Sequence, residues 1–255
     1  MKLKDRAAIV TGGSSGIGAE VCLQLAAEGA HVGVVASSDS AKAQIVVDKI
    51  EQAGGRATAL VGNVADPQSV AKLVADADAA LGPIDILINA AGVYGNTPIG
   101  DTEEALIDHL VDINLKGSFR MINALAPGMK DRRRGKIVNF SSVNAYIGVE
   151  AQSLYGACKA GIDIMTRSMA RELAPYDVNI NSIAPGATKT PMNEPLRTLP
   201  ELKDVLHAFE SNTPSNTAFS DPAEIARMVV FLASDDARPM HGSSVLMDEG
   251  LAAGI

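Results

Sequence analysis

Apolar residues fall into two alternating patterns along this chain. Short runs rich in β-branched residues occupy Ala7–Thr11, Ala30–Val35, Thr58–Val61, Ile84–Ile88, Lys136–Phe140, Val178–Ile183 and Ser244–Met247. Several are apolar at successive rather than alternate positions, the pattern of strands covered on both faces. Between them lie longer stretches with helical spacing: Gly16–Glu28, Ala41–Ala53, Pro67–Leu81, Thr102–Lys130, Ser153–Ala174 and Pro222–Ala233. Strand and helix in strict alternation predict parallel strands joined by crossover helices. The expected fold is therefore α/β, a Rossmann-type doubly wound seven-stranded parallel sheet in a single domain over residues 1–255. Asp66-Pro67 and Asp221-Pro222 each read as an N-cap followed by proline at the first helical position. One stretch breaks the rhythm. Residues 186–220 are too long for an ordinary connection and are expected to form a substrate-binding insertion. Within it, Leu199, Leu202, Leu206 and Phe209 outline a helix, either part of a lid or a satellite packed on the core.

Composition narrows the function. The 255 residues carry 22 basic and 30 acidic side chains, a net charge of −8, which argues against nucleic-acid binding. Cys22 and Cys158 are far apart and make neither a disulfide framework nor a zinc cluster, so no metal is expected and the compartment reads as reducing. No apolar run approaches the roughly 18 residues of a membrane span. The opening run Ala7–Val10 is too short for a signal-peptide core. A soluble cytoplasmic protein is expected, with no membrane partner.

The first strand runs into Thr11-Gly12-Gly13-Ser14-Ser15-Gly16-Ile17-Gly18, and a helix follows. Glycines at 12, 16 and 18 permit a tight turn and close backbone approach to a pyrophosphate, which the helix N-terminus attracts through its free N–H groups and dipole. Further along, Asn89-Ala90-Ala91-Gly92 follows strand four, Asn114 lies in an Asp-x-Asn-Leu-x-Gly segment, and Ser142 follows strand five. Tyr155-Gly156-Ala157-Cys158-Lys159 comes thirteen residues after Ser142, and Pro185-Gly186 precedes Thr190. In this order and spacing, over essentially the whole chain, these motifs resemble the short-chain dehydrogenase/reductase family, in its 3-oxoacyl-carrier-protein-reductase-like branch.

The resemblance implies an NAD(P)-dependent oxidoreductase acting on CH–OH donors. Its catalytic residues would be Asn114, Ser142, Tyr155 and Lys159. The dinucleotide would be bound by Gly12, Ser14, Ser15, Gly16, Ile17 and Gly18 in the turn, and by Ser37 and Ser38 after strand two. Asn63 and Val64, Asn89, Ala90 and Gly92 would border it, together with Tyr155, Lys159, Pro185, Gly186, Thr188 and Thr190. Tyr155 and Lys159, four apart on a helix, share a face. An ammonium beside a phenol lowers its pKa toward the working range of a general acid/base. Ser142 would hydrogen-bond the substrate oxygen, and Asn114 would help hold a proton-relaying water. Cys158, inside the motif, reads as buried filler. The acidic residue that marks NAD enzymes aligns with Ala36, so NADP is preferred, otherwise NAD. Asp39 reads as the next helix's N-cap.

Asn144, Tyr146, Val149, Tyr94, Met192, Leu196 and Phe209 would line a mainly apolar substrate pocket, or equally belong to the core. The expected substrate is a small or medium-sized ketone or secondary alcohol. A carrier-protein substrate is the alternative: Arg132-Arg133-Arg134 supplies a basic cluster, but Tyr176 stands where the family's second contacting arginine aligns, and the −8 charge opposes an acidic partner. Met247-Asp248-Glu249-Gly250 departs from the family's V-D-G-G ending, and a homotetramer is expected. A catalytically silent nucleotide-binding redox sensor is the competing class.

Overall fold

The computed structural model describes residues 1–253; the last two residues of the expected domain, 254–255, lie outside the described residues. Seven strands, β1 (Ala7–Thr11), β2 (His31–Ala36), β3 (Arg56–Val61), β4 (Ile86–Asn89), β5 (Gly135–Phe140), β6 (Val178–Pro185) and β7 (Ser244–Met247), form one sheet in the order β3-β2-β1-β4-β5-β6-β7. Every pairing is parallel. The doubly wound single domain is as the pattern predicts, with strand ends shifted by one or two residues.

Both faces are covered. On one, α1 (Gly16–Ala27), α2 (Ser40–Gln52) and α9 (Pro222–Ala233) bury Val21, Leu25, Val46, Ile50, Ile225 and Val229 against the sheet. On the other, α3 (Pro67–Leu81), α5 (Ser118–Asp131) and α6 (Ser153–Leu173) bury Leu73, Met121, Leu125, Ala170 and Leu173. Asp66 and Asp221 accept from the N–H groups of Gln68 and Ala223 at 2.9 and 2.8 Å, so both predicted caps form. Glu224 closes a capping box back onto Asp221.

The chain leaves β1 in one direction along the sheet and returns to β4 on its other side. The carboxyl ends of β1 and β4 therefore lie side by side, Thr11 opposite Asn89, where the strand order reverses and ligands bind in such sheets.

Two elements differ from the pattern. The single helix expected over Thr102–Lys130 is α4 (Glu104–Val111), a π-helical segment at Asp112–Gly117, and α5. A one-residue widening leaves the apolar spacing on either side intact, so periodicity does not register it. Gly117 sits in it because a side chain there would meet Val64 Cγ2 at 2.7 Å. The insertion holds two short helices, α7 (Glu194–Thr198) and α8 (Lys203–Ser211), with Leu199 and Leu202 on the connecting turn rather than in one helix with Leu206 and Phe209. No residue of α7 or α8 is buried, so neither belongs to the core. Among the described residues, no helix is long and apolar enough to cross a membrane, and no cluster of His, Cys, Asp or Glu could hold a metal.

Candidate active site

Three strand-end loops close on one crevice. A side-chain carbon on Gly12 would meet Ala90 O at 2.9 Å, and one on Gly18 would meet Gly12 O at 2.2 Å. One on Gly16 would touch Thr190 Cβ at 3.4 Å, so the β6 loop folds over the glycine-rich turn. Gly12 and Gly16 also have positive φ values of 67° and 53°, which glycine adopts without penalty. Ser15 precedes α1 but makes no side-chain cap, and the helix's first turn carries no acidic residue. Its N–H groups and positive dipole end thus face the crevice unopposed by a carboxylate, which fits the pyrophosphate of a dinucleotide. Ser14, Ile17 and Gly18 complete this wall.

At the ribose end, Ala36 is buried, and Ser37 and Ser38 are the exposed residues after β2. Asp39 is committed to α2, accepting from Ala41 N–H at 2.9 Å. Asn63 Oδ1 accepts from Ala65 N–H at 3.0 Å, while Val64 packs in the core beneath it. Asn89 turns into the sheet instead of the crevice: its amide donates to Asn139 Oδ1 at 2.9 Å, and Asn139 donates to Thr166. Pro185 ends β6, and Gly186 lies where a side chain would strike Asp248 Cα at 2.8 Å. Thr188 is buried and donates to Gly186 O, and Thr190 caps the next turn, with its N–H donating to Asn193 Oδ1.

Ser142, Tyr155, Lys159 and Asn114 come together at the mouth of this crevice. The first is positioned by the end of β5, the second and third by the first turns of α6. The π-helical segment turns Asn114 inward, where it is buried and tied to Val93 twice, accepting from its N–H at 3.1 Å and donating to its carbonyl at 2.9 Å. A side chain on Gly92 would lie 3.1 Å from Asn114 Oδ1 and 3.6 Å from Lys159 Nζ, so both groups converge on that glycine. The Ser142 hydroxyl accepts from Asn144 N–H at 3.2 Å, which leaves its own proton to donate.

Burial pushes the Tyr155 phenol up to about 12, with the Ser142 hydroxyl bond opposing the rise. The Lys159 ammonium donates to Phe140 O at 2.9 Å and stands 5.6 Å from the Tyr155 ring centre. Burial also depresses Lys159 to about 8, against the pull of Cys158 and Asp163. Cys158 is buried and its thiol is pushed up, in keeping with a filler role.

Tyr94 stacks edge-on against Tyr155 with ring centres 5.6 Å apart. Asn144 and Leu196 are partly buried, and Val149 and Met192 are exposed. Tyr146 instead sends its hydroxyl to Ser244 Oγ at 2.7 Å, on β7 and short of the strand's carboxyl end. Phe209 packs on Phe219, 5.5 Å between centres, as the insertion's own small core. Two further participants have weak sequence signals. Asp163, one turn beyond Lys159, is buried and accepts from Ser182 and Ser244 hydroxyls at 2.7 and 3.0 Å. Its i+4 spacing marks it. Gln152, just before α6, carries no motif.

Residues 6–200 match the short chain dehydrogenase family. The 3-oxoacyl-[acyl-carrier-protein] reductase FabG of Staphylococcus aureus strain Mu50 is 36% identical over 246 residues, covering 96% of this chain and 98% of that protein. Among solved structures, levodione reductase superposes with a TM-score of 0.93 at 31% identity, covering 99% of this chain and 100% of that one. A short-chain type dehydrogenase/reductase from Mycobacterium marinum gives 0.92 at 31% identity, covering 99% and 97%. The chain belongs to the short-chain dehydrogenase/reductase family. It is an NAD(P)-dependent oxidoreductase.

Proposed function

We propose that this enzyme interconverts a small or medium-sized ketone and a secondary alcohol, with Tyr155 as general acid/base. The observation that carries this reading is the convergence of Ser142, Tyr155, Lys159 and Asn114 beside the glycine-rich crevice. In reduction, Tyr155 donates its phenolic proton to the carbonyl oxygen; in oxidation, its phenolate removes the proton of the alcohol. Ser142 donates a hydrogen bond to the same oxygen and orients it. Lys159 holds its positive charge one helical turn away and favours the phenolate. Asn114, fixed by Val93, borders the outlet for the proton. The dinucleotide, when bound, supplies or accepts the hydride.

The residues assigned to the dinucleotide are Gly12, Ser14, Ser15, Gly16, Ile17, Gly18, Ser37, Ser38, Asn63, Val64, Asn89, Ala90 and Gly92, together with Tyr155, Lys159, Pro185, Gly186, Thr188 and Thr190, with NADP preferred over NAD. Support for NADP is the absence of a free carboxylate after β2: Ala36 has none and Asp39 is spent on its helix. Residues 186–220 form the substrate-binding insertion. A cytoplasmic homotetramer is part of the same reading.

A 3-oxoacyl-carrier-protein reductase is the second reading, supported by the likeness to the Staphylococcus aureus enzyme. The arginine run speaks for the free small molecule. Arg132 donates to Ile84 O at 2.8 Å, Arg133 pairs with Asp177 at 2.6 Å, and Arg134 holds both oxygens of Asp85 at 2.9 and 3.0 Å. Each is committed within its own chain before any acidic partner arrives. The test is a panel of ketones, alcohols and carrier-linked 3-oxoacyl substrates against NADPH and NADH. Turnover of free ketones with NADPH supports the reading; carrier-linked turnover alone transfers it to the second. Nucleotide binding without turnover of any of these substrates overturns both substrate readings.

A further inference from the structure

Beside Tyr155 lies a linked set of polar side chains that proton transfer does not use. It comes from three separate segments. Asn144 follows Ser142 by two residues, Gln152 immediately precedes α6, and Tyr94 and Asn96 sit in the loop after β4. The Asn144 amide donates to Gln152 Oε1 in a very short contact of 2.5 Å, and Gln152 Nε2 donates to the Tyr94 hydroxyl at 2.6 Å. That hydroxyl in turn donates to Asn96 Oδ1 at 2.8 Å, and the Tyr94 ring rests on Tyr155. The segment is held closely: a side chain on Gly156 would strike Asn144 O at 2.8 Å, and Thr97 N–H donates to Ala151 O at 2.6 Å.

These bonds consume one N–H of each donating amide. The second N–H of Gln152, the second N–H of Asn144 and the Asn144 carbonyl oxygen have no protein partner among the described residues. An alkyl chain bound there would strip water from them and return nothing, which is costly for partly buried polar groups. A second oxygen on the substrate would satisfy them.

We infer that Asn144 and Gln152, braced by Tyr94, form a subsite for a second oxygen function of the substrate, a hydroxyl or carbonyl on a carbon near the one that reacts. The inference rests on the ketone reading above and sharpens it: the substrate is a hydroxyketone or dicarbonyl rather than a plain alkyl ketone. A site built to hydrogen-bond a substrate oxygen discriminates strongly against the analogue lacking it.

The experiment compares kcat/KM, with NADPH, for 3-hydroxy-2-butanone against 2-butanone and for 2-hydroxycyclohexanone against cyclohexanone. The oxygenated member of each pair is expected to be favoured by about tenfold or more. Gln152→Met, nearly isosteric, is expected to cut that ratio by about fivefold or more, through loss on the oxygenated member. A structural role alone would lower both members together. Equal kcat/KM within both pairs in the native enzyme, or an unchanged ratio in Gln152→Met, overturns the subsite. If circular dichroism shows that Gln152→Met fails to fold, Asn144→Ser is put through the same comparison with the same deciding outcomes. Turnover of neither member of either pair refutes instead the ketone reading beneath it.

Discussion

Lys159 is a buried cation whose cost can be measured. Its ammonium is buried, donates to Phe140 O at 2.9 Å, and has been depressed from 10.5 to about 8 chiefly by burial. At about 1.4 kcal/mol per pH unit, that gap is worth about 3 kcal/mol of destabilisation. The sign follows from proton counting. Between about pH 8 and 10.5 the unfolded chain binds the proton and the folded chain does not, so stability rises with pH across that window. Below pH 8 the full penalty is in force. Lys159→Met removes it but strands the Phe140 carbonyl, a loss of about 1 kcal/mol. The variant should therefore be about 2 kcal/mol more stable than the native enzyme near pH 7, with the advantage shrinking and then reversing as pH approaches 10. Urea unfolding of both proteins from pH 7 to 10 measures this. A stability difference that stays constant over the range would refute the claim that burial stresses this ammonium, and with it the view that stability has been given up at the site for charge.

Gly18→Ala would place a methyl 2.2 Å from Gly12 O; thermal unfolding should show a loss of about 1–3 kcal/mol and calorimetry weaker nucleotide binding. Ser37→Asp puts a carboxylate at the exposed end of β2 and should weaken NADPH binding more than NADH binding, by about tenfold; equal effects on both would place the ribose phosphate elsewhere. Asp221→Ala removes the α9 capping box and should cost about 1 kcal/mol in urea unfolding, with activity at saturating substrate kept.

What could be read from the sequence is what adjacent residues decide. The strands announce themselves through contiguous β-branched runs, the glycine turn through a local conformational need, and Asp39, Asp66 and Asp221 through capping within two residues of themselves. Tyr155 and Lys159 are legible together because helical spacing puts them on one face. The π-helical segment holding Asn114 escapes, since one extra residue per turn leaves no trace in an apolar pattern. Asn89 shows the limit of motif reading: it belongs to the expected loop, but its amide is taken up by Asn139 across the sheet. Tyr146 and Phe209 read equally as pocket or core in sequence, and contacts with Ser244 and Phe219 decide them. The Asn144–Gln152–Tyr94 set joins three segments far apart in sequence, so no local signal could assemble it.

The central claim is that Tyr155 moves the proton while the crevice binds the nucleotide independently. Single-turnover reduction of a ketone by native enzyme and Tyr155→Phe, with NADPH binding measured by calorimetry on both, tests it most directly. The account predicts a rate lower by about a thousandfold or more in the variant and NADPH affinity within about threefold of native. Turnover in Tyr155→Phe close to that of the native enzyme would contradict it.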